Sequence, residues 1–280
     1  MAGVVVTGAG SGIGRATVIR LREQGFTVFA GVRREVDLAT WPGSGPGRVI
    51  PVRLDVAEPA TIAAAAATAR GELGDAGLLG LVNNAGIAVA APLEYLPPDE
   101  LRRQFEVNVV GQLAVIQAFL PLLRPARGRV VNLGSVSGRL AMPFLGPYAA
   151  SKFALRAISD ALRVELRPSG VSVSLIEAGT IATPLWESGA AAARALAATF
   201  PPEAAQRYGP ALERLAGRAA GFSRTGIPVE QVAEVVLRAL TSPRPRAYYA
   251  VSGRSRRWST RLLEVLPGEL RDRLVLRTLR

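Results

Sequence analysis

The sequence predicts an α/β protein: a doubly wound parallel sheet of about seven strands in a single domain, with a helical lid insertion and a C-terminal helical extension. Three observations carry this. Short runs dense in Val, Ile and Leu alternate with helix-length segments as far as residue 178. These runs are apolar at successive positions, not at every second one, as expected of strands covered on both faces. The first run enters a helix through a loop of glycines, with another strand-like run behind it.

The elements follow in order. Residues 3–8 read as the first strand and 13–24 as the first helix. Residues 27–32 form a second strand, and a Pro/Gly-rich loop over 41–48 leads to a third at 49–56. The alanine-rich segment 59–70 is helical and 78–84 is a fourth strand. Residues 98–123 read as a helix broken in two, followed by a fifth strand at 129–134. A helix over 148–167 is ended by Pro168-Ser169-Gly170, and 171–178 is a sixth strand. The pattern then changes. Residues 180–226 are alanine-rich without a strand, so they read as one or two helices inserted as a lid. A helix at 228–240 and a last strand at 246–252 complete the domain, 1–253. Residues 254–280 form an extension of one or two amphipathic helices split at Pro267-Gly268. No internal repeat and no long linker interrupts this.

Composition narrows the chemistry. The 280 residues contain no histidine and no cysteine. That excludes Ser-His-Asp hydrolysis, thiol nucleophiles, disulfides and histidine or thiolate metal sites, so no metal is expected. Proton transfer is left to Tyr, Lys, Asp, Glu, Ser, Thr or water. The net charge of +12 admits phosphorylated ligands or acidic surfaces. The arginines are scattered without aromatic interleaving or a nucleic-acid motif, however, and arginine and alanine share GC-rich codons. Nucleic acid is therefore not expected as a partner. No run reaches the ~20 unbroken apolar residues of a membrane span. The start Met1-Ala2-Gly3 runs straight into Val4-Val5-Val6, which leaves no room for a signal peptide, and a cytoplasmic location is expected.

Lys152 is the only lysine among 34 basic residues, and it lies four positions after Tyr148 in Tyr148-Ala149-Ala150-Ser151-Lys152. On a helix that spacing sets an ammonium beside a phenol. A nearby cation stabilises a phenolate, so Lys152 is expected to lower the Tyr148 pKa. Thr7-Gly8-Ala9-Gly10-Ser11-Gly12-Ile13-Gly14 stands between the first strand and helix, where backbone N–H groups can approach a pyrophosphate at the helix's positive end. Its spacing is TGxxxGxG, not GxGxxG. Ser135 ends the fifth strand, 13 residues before Tyr148, and Ser137 is its rival. With no histidine to act as base, a hydrogen-bonding role suits either serine better than a nucleophilic one.

With TGxxxGIG at 7–14, NNAG at 83–86, Asn108, Ser135 and YxxxK at 148–152, the chain resembles the short-chain dehydrogenase/reductase family over at least residues 3 to 252. The resemblance implies a Rossmann fold, a nicotinamide cofactor and a homodimer or homotetramer. It implies catalytic roles for Asn108, Ser135, Tyr148 and Lys152: Tyr148 exchanges the proton, Ser135 bonds the substrate oxygen, Lys152 also contacts the nicotinamide ribose, and Asn108 supports a water that links Lys152 to solvent. Asn108 reads equally as a residue stabilising a helix kink. The cofactor contacts implied are Thr7, Gly8, Ser11, Gly12, Ile13 and Gly14 in the first loop, Asp55 and Val56, then Asn83, Ala85 and Gly86, then Tyr148 and Lys152, and finally Gly179, Ile181 and Thr183. Asp55 also reads as a cap for the helix near Pro59. In place of the family's Pro-Gly after the sixth strand the chain has Ala178-Gly179.

Cofactor choice is read at the end of the second strand, where an acidic residue suits NAD and an arginine grips the 2′-phosphate of NADP. Here Val32 is followed by Arg33 and Arg34, so NADP(H) is expected; Glu35 and Asp37 keep NAD(H) as the alternative. Met142, Phe144, Leu185 and Trp186, with the alanine-rich insertion, suggest an apolar pocket. The strand 28–33 and the extension are similar to the retinol and hydroxysteroid dehydrogenase branch. The expected substrate is a small lipophilic alcohol, ketone or aldehyde. A reductase of carrier-bound 3-oxoacyl chains and a non-catalytic NADP-binding sensor are the alternatives. Arg254, Arg256, Arg257, Arg261, Arg271, Arg273 and Arg277 among leucines permit a weak peripheral membrane contact. A helix packed on its own domain or on a neighbouring subunit is the favoured reading.

Overall fold

Seven parallel strands form one sheet in the order β3-β2-β1-β4-β5-β6-β7. They are β1 (Gly3–Val6), β2 (Thr27–Val32), β3 (Arg48–Arg53), β4 (Leu78–Asn83), β5 (Arg129–Ser135), β6 (Ser172–Ala178) and β7 (Tyr248–Val251). This computed structural model describes residues 2–34, 41, 45–253 and 262–277. The sheet winds outward from β1 to β3, then restarts beside β1 with β4 and runs on to β7. Chains leaving β1 and β4 therefore diverge, and the crevice beyond these strand tips is where doubly wound sheets bind ligands.

Two cores sandwich the sheet, and successive strand residues feed them alternately. Val4 and Val6 join Val18 and Leu21 of α1 (Gly12–Glu23) with Val232, Val236 and Leu240 of α8 (Val229–Thr241). Val5 and Phe29 face the other side, under α2 (Pro59–Leu73), α4 (Gly111–Leu123) and α5 (Gly146–Glu165), where Ile116, Phe119 and Leu162 pack. The continuous apolar strands of the sequence follow from this double coverage. Residues 98–123 have the length and apolar content of a membrane span, but half of their most apolar 18-residue window is buried inside the fold.

The break expected within 98–123 is a π-helical turn, Glu106–Val110, between α3 (Pro98–Phe105) and α4. Other boundaries shift for local reasons. Strand β1 stops at Val6, and beyond it Thr7 still donates its N–H to the Val82 carbonyl at 3.0 Å. Strand β3 stops at Arg53, and Asp55 then closes a turn by accepting the Ala57 N–H at 3.0 Å. Asp55 is thus not the cap of α2, whose N-cap residue is Glu58.

The lid consists of α6 (Pro184–Ala197) and α7 (Pro202–Thr225). Trp186 anchors α6 by donating to the Ile181 carbonyl at 2.8 Å and meets Phe222 of α7 edge-on. Glu94, in the loop before α3, holds α7 from outside through Arg207 at 2.8 Å and the Tyr208 hydroxyl at 2.6 Å. In the extension, residues 262–265 are helical and a last helix spans Gly268–Arg277. Arg254, Arg256, Arg257 and Arg261, like Glu35 and Asp37, lie outside the described residues.

Phe119 is wholly buried between α4 and the sheet. Replacing it with alanine should lower the unfolding free energy by about 3–5 kcal/mol in denaturant titration, the loss expected when a packed aromatic ring is removed.

Candidate active site

Three groups named by the sequence converge beyond the tip of β5. Ser135 is its last residue, and a 3-10 turn over Val136–Gly138 follows at once, with the Ser137 N–H donating to Ser135 Oγ at 3.1 Å. That contact gives Ser137 a supporting part through its backbone. Tyr148 and Lys152 occupy the first turns of α5, both buried, with Nζ 5.7 Å from the phenol ring centroid. The Ser135 hydroxyl is the neighbour that acts on the Tyr148 hydroxyl. Lys152 Nζ donates to the Leu133 carbonyl at 2.8 Å.

The electrostatics differ from the expectation that Lys152 lowers Tyr148. Burial pushes the phenol up from its ordinary value of 10.0, and the Ser135 hydrogen bond pulls it partly back. Burial also lowers Lys152 to about 8. Desolvation disfavours both charged forms, and the ammonium is directed at a backbone carbonyl instead of the phenol oxygen. At neutral pH this leaves a protonated phenol beside a protonated amine.

A cleft of about 570 Å³ runs from the glycine loop to these groups. Gly8, Ser11, Gly12 and Ile13 line one end with Arg33, Asp55 and Val56. Ala85 and Gly86 line the middle, and Gly179, Ile181 and Thr183 face Ser135, Tyr148 and Lys152 across the other end. Thr7, Gly14, Asn83 and Asn108 do not line it; each holds the walls in place. Thr7 Oγ1 accepts the N–H groups of Asn84 at 2.9 Å and Ala85 at 3.0 Å. In return Asn84 Nδ2 donates to the carbonyls of Thr7 at 2.9 Å and Gly8 at 3.1 Å. These bonds tie the diverging ends of β1 and β4 together. Gly14 permits the helix to start against the loop, since a Cβ there would lie 2.2 Å from the Gly8 carbonyl oxygen. Asn83 turns inward and donates to Asn132 Oδ1 and the Gln112 carbonyl.

Among the described residues the segment after β4 has no strand partner, and one helix face satisfies its backbone instead. Gln112 donates to the Ala85 carbonyl. Asn108 both accepts from the Ile87 N–H at 2.9 Å and donates to the Ile87 carbonyl at 3.0 Å. Gln104 accepts from the Val89 N–H at 2.7 Å and donates to the Ile87 carbonyl at 3.0 Å. Four helical residues rise about 6 Å and two extended residues about 6.6 Å, so amides at i, i+4 and i+8 meet alternate residues of an extended chain. Asn108 also donates to Ser151 Oγ at 3.1 Å, and Ser151 in turn donates to the Tyr148 carbonyl at 2.7 Å. The Asn108 amide thus clamps this segment to α5. The sequence reading held Asn84 only within the NNAG motif and missed Gln104 and Gln112. The four-residue spacing of polar amides in an otherwise apolar stretch was the available signal for the last two.

A second chamber, about 380 Å³, opens between α6 and α7. Ala88, Leu185, Trp186 and Gly189 line both chamber and cleft and so join them. Its walls are mostly alanine and glycine, with Leu145, Phe200, Leu212 and Phe222. Leu185 and Trp186 are placed as expected. Met142 and Phe144 line neither space: Phe144, at φ 67°, packs edge-on against Tyr208.

The family model described as short chain dehydrogenase matches residues 2–193. Retinol dehydrogenase 5 of Mus musculus is 39% identical over 211 residues, 74% of this chain and 66% of its own length, just under two thirds. An NADPH-dependent 3-dehydrocapnine reductase of Ornithobacterium rhinotracheale is 32% identical over 99% of this chain and 96% of its own. Among solved structures, a short-chain dehydrogenase/reductase from Burkholderia phymatum in complex with NAD superposes with a TM-score of 0.78. It is 28% identical, and the match covers 93% of this chain and 92% of that one.

Two outcomes follow from this geometry. Gln104→Leu strands the Val89 N–H, while the Ile87 carbonyl keeps its bond from Asn108, so unfolding free energy should fall by about 1–3 kcal/mol in urea titration. Lys152 has a depressed pKa in the native state, so the unfolded chain holds the proton more tightly and the charge costs stability below about pH 8. Relative to Lys152→Met, the native chain should therefore gain stability as pH rises from about 8 towards 10.5, measured as the difference between the two unfolding midpoints.

Proposed function

This chain belongs to the short-chain dehydrogenase/reductase family, and we propose that it is an NADP(H)-dependent oxidoreductase interconverting a lipophilic secondary alcohol and its ketone, or an aldehyde. The observation that carries the reading is the convergence of Ser135, Tyr148 and Lys152 where a long cleft meets an apolar chamber.

The residues present fit a dinucleotide. The cleft floor is glycine where backbone must come close, the start of α1 faces it, and Arg33 stands at the end of β2 with Val32, not a carboxylate, before it. Arg33 supports NADP(H), as does the cofactor named for the Ornithobacterium relative. The bound NAD of the Burkholderia structure is what the alternative would resemble. When bound, the nicotinamide supplies or takes the hydride. The chain's own groups do the rest. Ser135 holds the substrate oxygen by hydrogen bonding. The Tyr148 hydroxyl donates its proton to that oxygen in reduction and recovers it in oxidation. Burial favours the protonated phenol, the form that donates in reduction, so oxidation should gain rate as pH rises. Lys152, fixed on the Leu133 carbonyl, keeps a positive charge at this end of the cleft until pH passes about 8.

The chamber supports a lipophilic substrate. Its small side chains leave width, and it offers few polar groups to orient a hydrophilic ligand. Leu101, Val110, Phe153 and Val164 remain exposed on α3, the π turn and α5, which suits association into a homodimer or homotetramer.

A panel of lipophilic ketones, aldehydes and alcohols, followed by NADPH absorbance, tests the activity. Tyr148→Phe should lower turnover by about 10²-fold or more while NADPH still binds. Near-normal turnover in that variant would rule out the mechanism. Arg33→Asp should weaken NADP binding by roughly 10- to 100-fold, the worth of a charge-assisted contact, and shift preference to NAD. Equal NADP affinity before and after the change would remove Arg33 from the specificity argument.

A further inference from the structure

Four charged side chains meet beside the reaction centre, and one of them comes from the C-terminal extension. Arg139 stands four residues after Ser135, at the end of the 136–138 turn. Arg156 lies one helical turn beyond Lys152 on α5. Between them is Glu177, a buried carboxylate on β6, which accepts from Arg139 Nε at 2.5 Å and lies 3.9 Å from Arg156 Nη1. Glu264 completes the group: both its oxygens accept from Arg139 Nη1 at 3.1 Å, and it lies 3.8 Å from Arg156 Nη1. The Tyr248 ring packs against both guanidinium groups. The quartet is electrically neutral, and each member is at least partly shielded from water. Without Glu264, two guanidinium groups would share one carboxylate in a partly desolvated place, where an unbalanced charge is costly.

Arg139 transmits this balance to the site. Its backbone N–H closes the turn on the Val136 carbonyl at 3.0 Å, and the same turn carries the Ser137 N–H that holds Ser135 Oγ. The turn also lies tight against α5: a Cβ on Gly138 would stand 2.9 Å from the Lys152 carbonyl oxygen. Displacing Arg139 therefore moves Ser135 relative to Tyr148 and Lys152.

We propose that Glu264 is a positioning residue: through Arg139 the C-terminal extension holds the Ser135 turn in register with the helix that carries Tyr148 and Lys152. Glu264 lies outside residues 2–193 that match the family model, so this support is an addition to the matched scaffold. The proposal rests on the catalytic reading of Ser135, Tyr148 and Lys152.

The test compares Glu264→Gln with Leu262→Ser, a change at a well-exposed neighbour in the same segment. Three quantities are read on the full chain: amide hydrogen exchange over 136–140, the NADPH dissociation constant, and kcat on a substrate taken from the panel above. Glu264→Gln should speed exchange over 136–140 by about tenfold, as a loosened local unit does, and lower kcat by about tenfold with NADPH affinity held within about twofold. Leu262→Ser should change none of these. Unchanged exchange in Glu264→Gln overturns the proposal. Faster exchange with unchanged kcat also overturns it, as does an equal loss of NADPH affinity, which would mark a general loss of structure. If the native chain turns over nothing in the panel, the proposed function fails by itself, and the exchange measurement still decides whether Glu264 holds the turn.

Discussion

An extended segment without a strand partner is the constraint on which this structure turns. Past the tip of β4 the chain enters the crevice of a doubly wound sheet, where neither neighbouring strand follows it. Its buried N–H and C=O groups must be satisfied, because leaving each unpaired costs about 1–3 kcal/mol. The fold meets this with side-chain amides: Asn84 with Thr7 across the switch point, and Gln104, Asn108 and Gln112 along one helix face. The cleft keeps its width because its middle wall is held by a helix and not by an adjacent strand. The π turn occurs in that same helix, at Asn108.

The reaction centre inherits its electrostatics from this enclosure. Asn108 reaches Ser151, and Ser151 reaches the Tyr148 carbonyl, so the wall and α5 are one hydrogen-bonded unit. Burial then acts on both titrating groups in opposite senses, raising the phenol and lowering the amine. Ser135, and not Lys152, is the neighbour that partly restores the phenol's acidity. In the proposed reaction, a tyrosine that keeps its proton at neutral pH, a neighbouring hydroxyl and a nearby ammonium would serve as a proton donor with an orienting partner. That arrangement needs no histidine, in agreement with the composition.

The elements that surround this centre divide the remaining work. On the lid side, α6 and α7 enclose space lined by small side chains, and Glu94 pins α7 from outside. Behind the Ser135 turn, Arg139 and Arg156 bring the extension's Glu264 into a neutral quartet with Glu177. The first bounds the apolar chamber, and the second is the brace proposed for the Ser135 turn.

Local patterning determined a great deal of this in the sequence itself. The order of strands and helices, the glycine loop and the break within 98–123 follow from apolar runs and short-range spacing, and the resemblance carried by the motifs named Ser135, Tyr148 and Lys152 as members of one site. These signals are local, and a parallel sheet preserves them because each strand is buried on both faces. What tertiary structure alone decided is where separate segments meet. It turned Thr7 and Asn83 away from the cleft, gave Gln104 and Gln112 a wall to hold, withdrew Phe144 from the pocket and reversed the expected shift of Tyr148. The physical reason is that hydrogen-bond satisfaction and desolvation depend on neighbours tens of residues away, and no periodicity along the chain encodes which neighbours those will be.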